Sequence, residues 1–231
     1  MFSSQLPIAF SILFLLSFAF PVVMVAHLAR KAQIKNGFRV VIGFYTVYLL
    51  LVSLASFVDF FDTIMLPPKI VLTTTLPLAI LLTIVFTTKL VKQTNKVLKL
   101  EDLVKIHIFR LIGSFFIILF LYGLLPKTFA LFAGVGDVLT AIGSVLVVKA
   151  IKTKKRNIKR LVVAWNVFGL VDILITSAMA IIFTKLSIDN GTQGVEFLAK
   201  FPFCFIPAFA PATIIFLHLL VFRKLFTNEN F

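Results

Sequence analysis

The sequence predicts an all-α, polytopic membrane protein of seven transmembrane helices, with the N-terminus outside and the C-terminus cytoplasmic. Three observations predict it. The 231 residues are 60% hydrophobic and 14% charged, with a mean hydropathy of +1.08, whereas a soluble domain is about half apolar and a quarter charged. Seven stretches hold about twenty predominantly apolar residues each, enough to cross a hydrocarbon core of about 30 Å. None of them alternates as a barrel strand does, so backbone amides in lipid are satisfied within helices. The same composition excludes an ordinary soluble enzyme, a disulfide-rich secreted domain and a disordered chain. Residues 1–231 read as one seven-helix domain.

Span one runs from Leu6 to Ala29. No basic residue precedes its apolar run, and Leu28-Ala29-Arg30-Lys31 is a poor cleavage context, so it reads as a retained anchor rather than a signal peptide. Span two, Val40 to Met65, carries Asp59 and Asp62 near its outer end, where water reaches them. Span three, Ile70 to Val91, holds no acidic residue. Span four, Leu103 to Leu125, contains His107 and Arg110; span five, Thr128 to Val148, contains Asp137; span six, Leu161 to Phe183, contains Asp172. Span seven, Pro202 to Val221, carries Pro202, Pro207 and Pro211. Proline removes an amide donor and clashes with the carbonyl four residues back, so this span is expected to kink and free carbonyls. Freed carbonyls of this kind line ion and substrate sites in transporters, but a kinked span is more often plain architecture, and that is the expectation here. The lone Cys204 excludes an internal disulfide and a cysteine-based metal cage. Asn190-Gly191-Thr192 has the form of a glycosylation sequon and reads as a polar turn in the six–seven loop.

Charge sets the orientation. Eighteen of the 23 Lys and Arg residues fall in the one–two, three–four and five–six loops and the tail. Only Lys69, Lys127, Lys185 and Lys200 lie on the other side, and Arg110 lies inside a span. The positive-inside rule therefore places the one–two loop in the cytoplasm. Residues 149–160 form the densest basic loop. It lacks interleaved aromatics and abuts two spans, so anionic lipid headgroups are its expected partner and nucleic acid is not.

Ionisable groups within a span are costly and mark candidate sites. His107, Arg110 and Ser114 share one helical face in span four. Ala133, Asp137, Thr140, Ala141 and Ser144 share one in span five, mostly small residues that permit close helix approach. Trp165, Gly169, Asp172 and Thr176 align in span six, with Asn166 beside them. These stripes predict a polar centre among helices four to seven in which Arg110 neutralises Asp137, Asp172 or both, and Asn166 adds a hydrogen bond. Such a centre either binds a small polar ligand or ion or fixes helix register alone. All three histidines fall toward the cytoplasmic ends of their spans, and His107 and His218 are candidate metal or haem ligands. The close His-to-His spacing on the last helix of seven-span membrane zinc hydrolases is missing, and no cofactor is expected.

The seven-span count invites comparison with retinal proteins and receptors, yet no lysine stands mid-span in span seven and the receptor signatures are absent. A three-plus-one-plus-three sugar transporter has the right size, but the two halves share no convincing similarity and place their prolines differently. One resemblance is positive. His107-Ile108-Phe109-Arg110, Leu125-Pro126, Phe129-Ala130, Ala133-Gly134, Gly136-Asp137, Trp165-Asn166, Gly169, Asp172, Pro207, Pro211 and Leu217-His218 together resemble a group of small bacterial multi-span membrane proteins of unknown function. The resemblance implies a bacterial cytoplasmic membrane and no particular activity. The expected function is a non-enzymatic membrane protein with a buried polar site at Arg110, Asp137, Asn166 and Asp172: a small-solute or ion transporter, or an accessory subunit of a membrane assembly. The alternative is an intramembrane metal- or haem-dependent enzyme using His107 and His218.

Overall fold

The computed structural model describes residues 6–154 and 156–227; Lys155 of the basic loop lies outside them. The described residues form α1 (Ile8–Lys31), α2 (Gly37–Phe57), α3 (Val71–Thr87), α4 (Lys89–Val97), α5 (Leu100–Leu121), α6 (Lys127–Lys152), α7 (Ile158–Asn190) and α8 (Phe205–Thr227). Six of these, α1, α2, α5, α6, α7 and α8, are long and apolar enough to cross a membrane. The chain is a multi-pass membrane protein. The sequence expectation of seven such spans is met by six, because span three is represented by the shorter α3, 17 residues long.

Local chemistry explains that difference. Thr88 takes an extended conformation, with ψ at 153°, and its hydroxyl accepts the Val91 amide at 3.3 Å. A threonine so placed caps a new helix, so α3 ends at Thr87, four residues before span three was expected to finish, and the amphipathic α4 starts at Lys89. Span two likewise ends early, at Phe57. Asp59 adopts a left-handed backbone with φ at 53°, and Asp59 and Asp62 sit in the connection after α2, consistent with solvated carboxylates. In the other direction α7 outruns its expected end by seven residues; at about 1.5 Å per residue its 33 residues reach about 50 Å.

α5 and α8 are the most buried helices, and the others pack around them. The outward faces of α2, α6 and α7 present Leu50, Leu54, Leu139, Leu146, Phe168 and Leu174, a surface suited to lipid rather than water. Side-chain ties define two ends. At the basic end Lys31 pairs with Asp102, Arg223 donates to the Phe86 carbonyl at 2.8 Å, and Lys224 donates to the Lys96 carbonyl at 3.0 Å. At the opposite end Lys200 pairs with Asp62, and Gln193 donates to the Gly123 carbonyl at 2.6 Å.

The expected proline effect in span seven takes a specific form. Pro211 has no amide to give the Pro207 carbonyl, and the Thr75 hydroxyl of α3 donates to that carbonyl instead, at 2.6 Å. Thr75 closes the π-helical first turn of α3, Val71–Thr75. The freed carbonyl therefore joins two helices.

Candidate functional site

The site starts with a departure from α-helical spacing. Within α5, Ile106–Gly113 is a 3₁₀ helix of eight residues, long for a form that seldom exceeds one turn. At three residues per turn His107, Arg110 and Gly113 fall on one line, whereas α-helical spacing predicts Ser114 in the third place. The substitution matters: a Cβ at Gly113 would overlap the Asp137 side chain. Two further glycines do the same work. A Cβ at Gly136 would overlap the Asp172 carboxylate, and one at Gly169 would come within 2.6 Å of the His218 ring. Asp137, Asp172 and His218 thus each occupy space vacated by a glycine on a neighbouring helix.

Arg110, 2% exposed, is the hub. Its Nε donates to Asp137 Oδ1 at 2.6 Å, its Nη2 donates to Asp172 Oδ2, and its Nη1 donates to the Gly169 carbonyl at 2.8 Å. Nη1 also meets His218 Nε2 at 3.3 Å. The proton arrangement follows from Asn166. Its Nδ2 donates to the His218 carbonyl at 3.1 Å, so its Oδ1 accepts from His218 Nδ1 at 2.8 Å. With its hydrogen on Nδ1, a neutral His218 turns the Nε2 lone pair toward Arg110. One guanidinium, which does not deprotonate in proteins, faces two carboxylates. With both ionised, the centre is one positive charge short.

The structure brings together all four residues expected at the polar centre, and His218 with them. His107 packs against His218 with ring centroids 4.1 Å apart and ring planes tilted by 37°, and meets Trp165 edge-on at 5.1 Å. Both His107 nitrogens are buried without a hydrogen-bond partner. His27 stands elsewhere, against Arg30 and Phe38. Both His218 nitrogens are already engaged, and no group of three His, Cys, Asp or Glu residues arranged for a metal occurs among the described residues. Trp165 Nε1 donates to the Thr140 carbonyl at 2.9 Å, fastening α7 to α6 beside the centre. A cavity of about 30 Å³, lined by Phe18, Phe109, Arg110, Asp137, Phe209 and other apolar groups, reaches the Asp137 side. It holds a water-sized guest and nothing larger.

The model of a family described as a domain of unknown function, DUF8737, matches residues 67–226. The chain belongs to this family. The DUF8737 region takes in α3 to α8 and every residue of the polar centre, so it begins earlier than the second-half resemblance read from the sequence. The DUF8737 description assigns no activity. No curated protein and no solved structure matches the chain.

Proposed function

We propose that this DUF8737 protein transports protons or a small monovalent cation across a bacterial cytoplasmic membrane, and that Arg110, Asp137 and Asp172 form its ion-binding centre. The observation that carries the reading is the charge count: two carboxylates converge on one permanently charged guanidinium inside a span. One proton or one small monovalent cation completes that balance. The adjoining cavity, about 30 Å³, suits a guest of that size and not a larger solute. His218 meets the guanidinium from the α8 side, and Asn166 of α7 holds the His218 ring in place. In this reading α3 is the seventh crossing, the N-terminus is outside, and the basic end is cytoplasmic. There residues 149–160 meet anionic headgroups. Further subunits of a membrane assembly dock on the lipid-facing helices, and no nucleic acid or cofactor takes part.

The test uses purified protein in liposomes enclosing a pH-sensitive dye, driven by a potassium-diffusion potential. The wild type is expected to carry protons inward, and Asp137→Asn and Asp172→Asn are each expected to abolish the flux while remaining folded. Repeating the assay with sodium or potassium reporters separates a proton from a metal cation. Wild-type liposomes as tight as protein-free ones to all three ions would overturn the proposal and leave the centre as a packing device.

A further inference from the structure

The end of the molecule opposite the basic face holds a second pocket that the polar centre does not use. Its volume is about 190 Å³, and it lies between the 58–70 connection and the 191–204 connection, over the ends of α3, α7 and α8. Most of its wall is apolar, formed by residues such as Phe61, Ile64, Val195 and Leu198. Into this wall is set Glu196, whose Oε1 is buried and accepts no hydrogen bond. A buried carboxylate oxygen with no donor is costly, and native structures seldom keep one without an occupant or a function.

The cationic groups of the pocket are committed elsewhere. Lys200 pairs with Asp62 and lies 3.5 Å from Asp59. Burial alone would lower its ammonium, but the two carboxylates prevail and hold it above the usual lysine range. Lys69 places its ammonium 3.8 Å from the centroid of the Phe60 ring. Glu196 is therefore the acidic group of the pocket left without a counter-charge.

The wall that carries Glu196 is pinned before any ligand arrives. Gln193 bonds to the α5–α6 connection, and Thr192 donates to the Leu186 carbonyl at 3.1 Å. Ser56 of α2 donates to the Ala199 carbonyl at 3.0 Å. Gly194 lets the Glu196 carboxylate fold back, since a Cβ at that position would overlap it. Opposite, Pro67 and Pro68 restrict the backbone of the facing wall. Pre-organisation of this kind lowers the ordering cost of binding.

We propose that this pocket binds a small primary amine whose ammonium draws the Glu196 carboxylate outward from its place over Gly194, with the apolar body against Phe61, Ile64, Val195 and Leu198. An apolar cavity of about 150 Å³ accommodates benzene, so 190 Å³ takes a ring with a short aminomethyl arm. The site is separate from Arg110 and its test does not depend on ion transport.

Calorimetric titration of the purified full chain with benzylamine tests it, with benzyl alcohol as the neutral probe of similar shape. Saturable binding of benzylamine is expected, weakened about tenfold or more by Glu196→Gln, the loss associated with one charge-assisted hydrogen bond. Lys69→Gln, which removes the positive charge seated over the Phe60 ring, is expected to bind at least as tightly as wild type and shows that loop substitutions are tolerated. Equal binding of benzyl alcohol, equal binding by Glu196→Gln, or no saturable heat with benzylamine would each overturn the proposal.

Discussion

Arg110 is the residue on which the centre turns, and its removal is not a mirror image of adding it. Two carboxylates would be left facing each other in a low-dielectric interior, a loss that breaking a buried pair places at about 3–5 kcal/mol. Arg110→Met is therefore expected to lower the melting temperature in detergent sharply. The triple change Arg110→Met, Asp137→Asn, Asp172→Asn removes charge from all three and should recover most of that loss. A triple variant as unstable as Arg110→Met alone would mean that the shape of the guanidinium, not its charge, holds the helices. The four polar residues were legible in the sequence because a charge in a span is costly enough to demand a partner. His218 was legible only as a possible ligand, because its role depends on Asn166, 52 positions away. Gly113, Gly136 and Gly169 were harder still, since what they contribute is an absent side chain.

At the scale of the element, the revealing contact is the hydroxyl of Thr75 on the carbonyl freed by Pro211. Thr75→Val leaves that carbonyl without a donor and is expected to cost about 1–3 kcal/mol. In a Pro211→Ala background residue 211 regains its amide, the carbonyl is satisfied within α8, and the same Thr75→Val change should cost clearly less. A thermal-unfolding double-mutant cycle measures the difference; equal costs in both backgrounds would show that the contact contributes nothing. Sequence reasoning anticipated a freed carbonyl and not its partner, because the pairing joins residues 132 positions apart. It also assumed one helical period throughout α5. The 3₁₀ stretch shortens that period, which is why Gly113 rather than Ser114 lies in line with Arg110. The limits of α3 were present in the sequence as Thr88 capping Val91, a local signal that hydropathy averaging conceals.

For the whole molecule, the charge asymmetry makes a directional prediction. In a Cys204→Ala background, Asn190→Cys should react with a membrane-impermeant maleimide on intact cells, and Lys154→Cys should react only after lysis. The reverse pattern would invert the molecule. The basic loops are legible because charges add along the chain, whereas each end is held by ties such as Lys200 with Asp62 that no local pattern announces. Length brings a different consequence. As a crossing, the 17 residues of α3 extend about 26 Å, against about 30 Å of hydrocarbon, while α7 is far longer. With α3 as the proposed seventh crossing, one edge of the molecule would be too short for its surroundings while another has turns to spare. Lipids beside α3 would then thin or the helix would sink, each at a fraction of a kcal/mol per ångström. The melting temperature should therefore be higher in short-chain than in long-chain phosphatidylcholine bilayers, and the protein should gather where a membrane is thinnest.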